Sequence, residues 1–165
     1  MIMKTTLRLC VMTLVASSMA SATPAFAQYK NTITNDMSKC SGTSGPAIKV
    51  TVRGIKTSTG KVRLQSYYGT KADWLKKGRW LHRIETRARA GTMTFCVPVS
   101  KPGTYGIAIR HDKNGNNKTD ITSDGGAMSN NPSINIFNLG KPSYKKTRFS
   151  VGEGVTAITI NMRYM

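Results

Sequence analysis

From Ile48 onward the chain alternates. Ile48, Val50 and Val52 share one parity and Lys49, Thr51 and Arg53 the other, which in an extended backbone sends the two sets to opposite faces. Ser58-Thr59-Gly60 reads as a turn, after which Val62, Leu64, Ser66 and Tyr68 continue the pattern. It resumes with His82, Ile84, Thr86 and Ala88 on one side and Arg83, Glu85, Arg87 and Arg89 on the other. Met93, Phe95 and Val97 then point inward, and Cys96 points away from them. Lys101-Pro102-Gly103 is a turn, because proline presets its own φ and glycine accepts a positive one. Tyr105, Ile107 and Ile109 form the next buried face, and final strands are predicted around Thr147 to Val151 and from Thr156 to Tyr164, with Ile158, Ile160 and Met162 inward.

Two stretches break the alternation. In TKADWLKKGRW, Asp73 to Lys77 predict one helical turn that Gly78 ends, with Trp74 covering the edge of the core. Residues SDGGAMSNNPS, beginning at Ser123, read as long and irregular. About seven strands at spacings of roughly ten residues, with no long amphipathic helix, predict an all-β fold: an antiparallel β-sandwich in one domain over residues 47–165. Residues 28–46 are polar, rich in Ser, Thr, Asn and Gly and without period, and are expected to be a flexible tether.

The first residues belong to a different grammar. Lys4 and Arg8 precede a mostly apolar run from Leu9 to Ala16 that is too short to span a bilayer, and Ala25-Phe26-Ala27 offers small residues where a signal peptidase reads. A signal peptide over residues 1–27, cleaved after Ala27, implies a periplasmic or secreted protein that is not transmembrane after cleavage. Cys10 leaves with that leader, and the remaining pair, Cys40 and Cys96, is expected to form a disulfide. Zinc has little to bind, since the only histidines are His82 and His111 and neither thiol has a second cysteine at ligand spacing.

Loss of Lys4 and Arg8 lowers the formal charge from +18 to +16. Such a field keeps a protein soluble and also draws it to polyanions, but it acts without selectivity and is screened within about 8 Å at physiological salt. Arg83, Arg87 and Arg89, on the outer side of their strand, form a basic stripe that is the candidate anion-binding surface. Nothing in the chain indicates specific nucleic-acid recognition.

The stretch with candidate chemistry is HDKNGNNKTD, residues 111 to 120. Asp112, Asn114, Asn116 and Asp120 stand at the first, third, fifth and ninth positions of a calcium loop, where a hard cation collects roughly six to eight oxygens, and the carbonyl of Lys118 stands at the seventh. Asn117 replaces the glycine usual at the sixth position and Ser123 the bidentate glutamate at the twelfth; Asp124 is the nearby acid able to substitute. A preceding strand and the lack of flanking helices exclude an EF-hand. Against calcium stand Arg110, Lys113 and Lys118 and a plainer reading, in which Asn114-Gly115 is a turn dipeptide and the asparagines cap their own backbone. Both readings stay open at this level.

Gly103-Thr104-Tyr105-Gly106-Ile107-Ala108-Ile109, His111-Asp112-Lys113-Asn114-Gly115-Asn116 with Asp120, Ser129-Asn130-Asn131, and Gly140-Lys141-Pro142-Ser143-Tyr144 leading to Phe149 occur in an order that resembles DUF2141, a bacterial family of exported domains of unknown function. The resemblance runs from about Ile48 to Tyr164 and implies a transthyretin-like or immunoglobulin-like sandwich, with no activity attached. Lys113 stands where relatives tend to have an acid, Asn117 where they have glycine, and Gly125-Gly126-Ala127-Met128 where they have a Pro-x-Glu stretch.

Catalysis lacks its parts. The chain has two histidines and seven acids, and no Gly-x-Ser-x-Gly, phosphate loop or metal triad. His82 shares the parity of Ile84 and reads as a packed or edge residue. His111 reads either as a group that orients the Asp112 loop or serves as a base, or as a strand-end histidine bonded to backbone. The sequence therefore suggests a non-catalytic binding module of the bacterial envelope, calcium-organised at residues 112–124, with a basic face for an anionic partner. The alternative is a metal-free accessory protein acting through protein contacts at a sheet edge.

Overall fold

A computed structural model describes residues 31–42, 44–138 and 140–165; the expected signal peptide and the first tether residues lie outside this range. The alternating segments become strands β1 (Ala47–Ile55), β2 (Lys61–Tyr68), β3 (His82–Arg87), β4 (Gly91–Pro98), β5 (Gly103–Asp112), β6 (Gly125–Met128), β7 (Phe149–Val151), β8 (Val155–Asn161) and β9 (Arg163–Tyr164). Strands β4, β1 and β8 form one sheet in that order; β3, β2, β5, β6 and β9 form the second, with β7 paired to β5.

Register turns parity into a core. Val50 lies opposite Phe95 on one side and Ile158 on the other, and Val52 opposite Met93 and Ile160. Across the gap, Leu64 pairs with Ile84 and Ile109. These side chains, with Ile48, Val62, Val97, Tyr105 and Ile107, form a single buried cluster between the sheets, with the half-buried Ile158 packed against it. The all-β, sandwich-like expectation is met.

Several local expectations are corrected. The sandwich is not wholly antiparallel, since β1 and β8 run parallel over Ala47–Arg53 and Val155–Asn161. Residues 71–75 form turns without becoming a helix, while a four-residue helix, α1, forms at Tyr144–Thr147. The supposedly irregular Gly125–Met128 is a strand, held by pairing to β5 that its weak intrinsic propensity does not advertise. The last predicted strand is two: Met162 interrupts it, bonding through its amide to Arg53, and the chain passes from one sheet to the other.

Alternation also misses a second apolar cluster on the outer face of the larger sheet. Tyr67, Trp74, Trp80 and Met128 are buried there, with Leu75, Ala108, Ile134 and Tyr144 against them. Trp74 donates its indole N–H to the Pro142 carbonyl at 2.8 Å and packs against Gly106, where a Cβ would come within 2.7 Å of the ring. Two long loops are thereby fastened over a face that periodicity would leave to water.

The expected tether is docked where it is described. Ile33 donates its amide to the Arg83 carbonyl at 2.8 Å, and Asn35 clips the rim of β4, giving its amide to the Thr94 carbonyl and accepting from the Cys96 amide. Asn131 does the same on β8, bonding the Thr159 carbonyl and the Asn161 amide. Primary amides thus mimic a neighbouring strand on both outer strands of the smaller sheet, blunting edges that invite association.

Cys40, at the end of a short 3-10 turn (Met37–Cys40), is bonded to Cys96, 56 residues away, with 5.8 Å between the α-carbons. Replacing both cysteines by serine is expected to lower the unfolding free energy by about 4 kcal/mol through the chain entropy of so long a loop, measured by urea denaturation of the oxidised wild type and the variant.

Candidate functional site

Strand β5 carries the chain to the loop read as chemical. Its penultimate residue, His111, is fully buried. Its Nε2 lies 2.8 Å from the Thr59 carbonyl and its Nδ1 2.7 Å from the Tyr164 hydroxyl, which also accepts the Lys56 amide. A neutral ring donating from Nε2 and accepting at Nδ1 satisfies every partner, so His111 ties the β1–β2 turn, β5 and the C-terminal strand together. Gly60 makes the closure possible: at φ 70°, any Cβ would fall 1.9 Å from the Asp112 carbonyl oxygen.

Three of the seven acids of this strongly basic chain lie between residues 112 and 124. Asp112 is 2% exposed; its Oδ2 accepts the Asn117 amide at 2.9 Å and an Arg110 N–H at 3.4 Å, while Oδ1 is buried without any partner. The buried Asp124 carboxylate bridges the loop, accepting from the amides of Lys113 and Asp120. Asp120 accepts both side-chain amides, of Asn114 and Asn116, at 2.8 Å. Each of those asparagines in turn accepts a backbone amide two residues on.

Asn117 explains one departure. It stands at φ 63°, the left-handed conformation that a tight loop demands at this point, and asparagine is the residue beside glycine best able to adopt it. The missing glycine is therefore replaced by a residue that performs the same turn. Among the described residues no three carboxylate, imidazole or thiol groups stand ready as a metal cage. A cation would have to combine Asp112 with Asn114, Asn116 and Asp120 by turning two amides whose NH₂ groups now face Asp120, and the exposed Lys118 would contribute only its carbonyl.

The arginine stripe divides. Arg83 is largely covered, stacked 4.1 Å above the Trp80 ring and 3.7 Å from Glu85, and burial followed by the nearby Arg63 charge lowers its pKa. Arg87 is exposed at the end of β3, and Arg89 lies beyond it, outside the sheet. Ala88, between them, is buried.

The larger cationic feature is one that residue-by-residue reading overlooks. Register places Glu85, Arg63, Arg110, Gly126 and Arg163 in one row across β3, β2, β5, β6 and β9, on the outer face. Arg63 bonds Glu85 at 2.6 Å and Asn117 at 3.2 Å; Arg110 bonds Thr119 at 2.9 Å. Beside this row lies an open cleft of about 520 Å³ bounded by the 112–124 loop, Lys141 and the apolar Leu75, Ala108, Met128 and Ile134. The parity of Arg63 and Arg110 was visible along their own strands; their adjacency needed the β2–β5 register.

The molecule is thus a β-sandwich domain with a polar Asp/Asn loop and a cleft lined by arginines on the outer face of its larger sheet. The sequence model described as an uncharacterized protein conserved in bacteria, DUF2141, matches residues 50–159, well over half of the chain, and the protein belongs to that family. No curated protein and no solved structure matches it.

The two asparagine amides hold the Asp120 carboxyl below the ordinary carboxylate range. Their stabilisation is complete above the ordinary pKa and is lost as pH falls through the depressed one. Substituting both Asn114 and Asn116 by alanine is expected to raise the Asp120 pKa toward its ordinary value, read from the side-chain carboxyl carbon in an NMR titration.

Proposed function

We propose that this protein is an exported, non-catalytic binding module of the bacterial envelope, in which calcium organises the 112–124 loop and the basic side of the molecule meets an anionic partner. The carrying observation is Asp112 Oδ1. A carboxylate oxygen buried without a hydrogen bond is costly, and a cation is the partner that would relieve it. Asp120, Asn114 and Asn116 stand at the loop positions that place further oxygens around a hard cation. The disulfide suits an oxidising compartment, and no helix among the described residues is long and apolar enough to cross a membrane.

The accessory reading, with contacts along a sheet edge and no metal, finds less support, because Asn35 and Asn131 already occupy the rims of β4 and β8. A stoichiometric protein partner recovered equally in high salt and in chelator would restore it.

At the weak, extracellular end of calcium affinities, a dissociation constant of about 1 mM, roughly 10 mM calcium adds about 1.4 kcal/mol and raises the Tm by about 5 °C. Asp112→Asn is expected to remove that increment. An unchanged Tm for the wild type across this range would end the calcium reading.

A further inference from the structure

We propose that the cleft above Gly126 binds a small amphipathic anion, a carboxylate or phosphate monoester on a short apolar body. This deepens the anionic-partner half of the reading above and leaves its calcium half aside.

Like charges directly opposite each other on adjacent strands are unfavourable, yet Arg63 and Arg110 are such a pair. Neither is free to escape into solvent, their side chains being 17% and 16% exposed. Glu85 answers Arg63, but Arg110 reaches Asp112 only at 3.4 Å, and its Nε is buried with no partner at all. Asp124 and Asp120 add negative charge to the cleft wall, but their oxygens are turned to two backbone amides and to the asparagines, so neither hydrogen-bonds the Arg110 guanidinium. An arrangement of this kind is completed by an anion from outside.

The row also has a vacant tooth. Gly126 stands between Arg110 and Arg163, and a Cβ there would meet nothing nearer than the Ile134 side chain at 4.0 Å. An acidic group resting on Gly126 would therefore have a guanidinium on either side, with Lys141 also on the cleft lining. One pleat further along the same two strands, the facing pair becomes Ala108 and Met128. Leu75 and Ile134 continue that wall, so the surface changes from cationic to apolar over about 7 Å. A bare inorganic ion would leave this wall unused; a purely apolar ligand would leave the arginines unanswered. The cleft lies within the roughly 300 to 1,000 Å³ usual for small-molecule sites.

Calorimetric titration of the processed chain with octyl phosphate, below its micelle-forming concentration, tests the assignment against octanol of the same length. Octyl phosphate is expected to bind about tenfold or more tightly than octanol, the size of a charge-assisted hydrogen bond. Gly126→Val, which fills the slot with a good strand former, and Arg163→Gln, on an exposed side chain, should each weaken binding by a similar factor while circular dichroism and Tm stay those of the wild type. The double variant Arg87→Gln, Arg89→Gln should bind as the wild type does. Equal affinity for octanol would overturn the anionic specificity. Undiminished binding by folded Gly126→Val would overturn the cleft, and a loss in the Arg87, Arg89 variant would then move the anionic partner to the β3 stripe. Failure of octyl phosphate to bind at all, in a protein that still binds anionic polymers, would sink this inference and spare the broader reading.

Discussion

Strand β5 is the constraint on which the rest hangs. It pairs with β2 along its length, with β6 at its C-terminal half and with β7 at its start. Its odd positions, Tyr105, Ile107 and Ile109, fill the space between the sheets. Its even positions set the outer face: Gly106 accepts Trp74, Ala108 floors the cleft and Arg110 arms it. Parity that flips every side chain on a one-residue slip therefore fixes core and cleft together. The hydrogen bonds of His111 to Thr59 and Tyr164 pin the end of this strand and leave Asp112 pointing into its loop.

What the sequence showed, and what it hid, divide along the range of the interactions. Inward residues such as Val50, Leu64 and Phe95 were legible because burial between sheets imposes a strict period of two. Tyr67 broke that period because the face opposite the core is covered as well, by loops that have no period. Gly125–Met128 was hidden for the converse reason: its strand identity comes from β5 and β9, and its own residues favour neither. The docking of Ile33 depends on one backbone bond to β3 and that of Asn35 on two bonds of its side-chain amide to β4, which leave no mark on composition.

The candidate sites show the same division. Loop positions 112, 114, 116 and 120 are local and could be read by counting. The environment of Asp112 could not, since it depends on the β1–β2 turn at Gly60 closing against the end of β5. Nor could the grouping of Arg63, Arg110 and Arg163, which are far apart in the chain and meet only through strand register. The arginines legible as a stripe on β3 turned out to be unequal, one of them stacked on Trp80. Charge in this protein is thus placed rather than merely abundant: three of the seven acids gather in one loop, and Arg63, Arg110 and Arg163 share one row across the larger sheet.

The clip on β4 has a dependency of its own. Asn35 lies five positions from Cys40, and the covalent link to Cys96 keeps that short arm beside the strand it covers. Once the sulfurs part, the arm is held only by scattered polar contacts, and the hydrogen-bonding groups at Thr94 and Cys96 are offered to any neighbouring chain. The covalent link thus does more than shorten the reach of the unfolded chain: it tethers the side chain that masks an otherwise open strand edge.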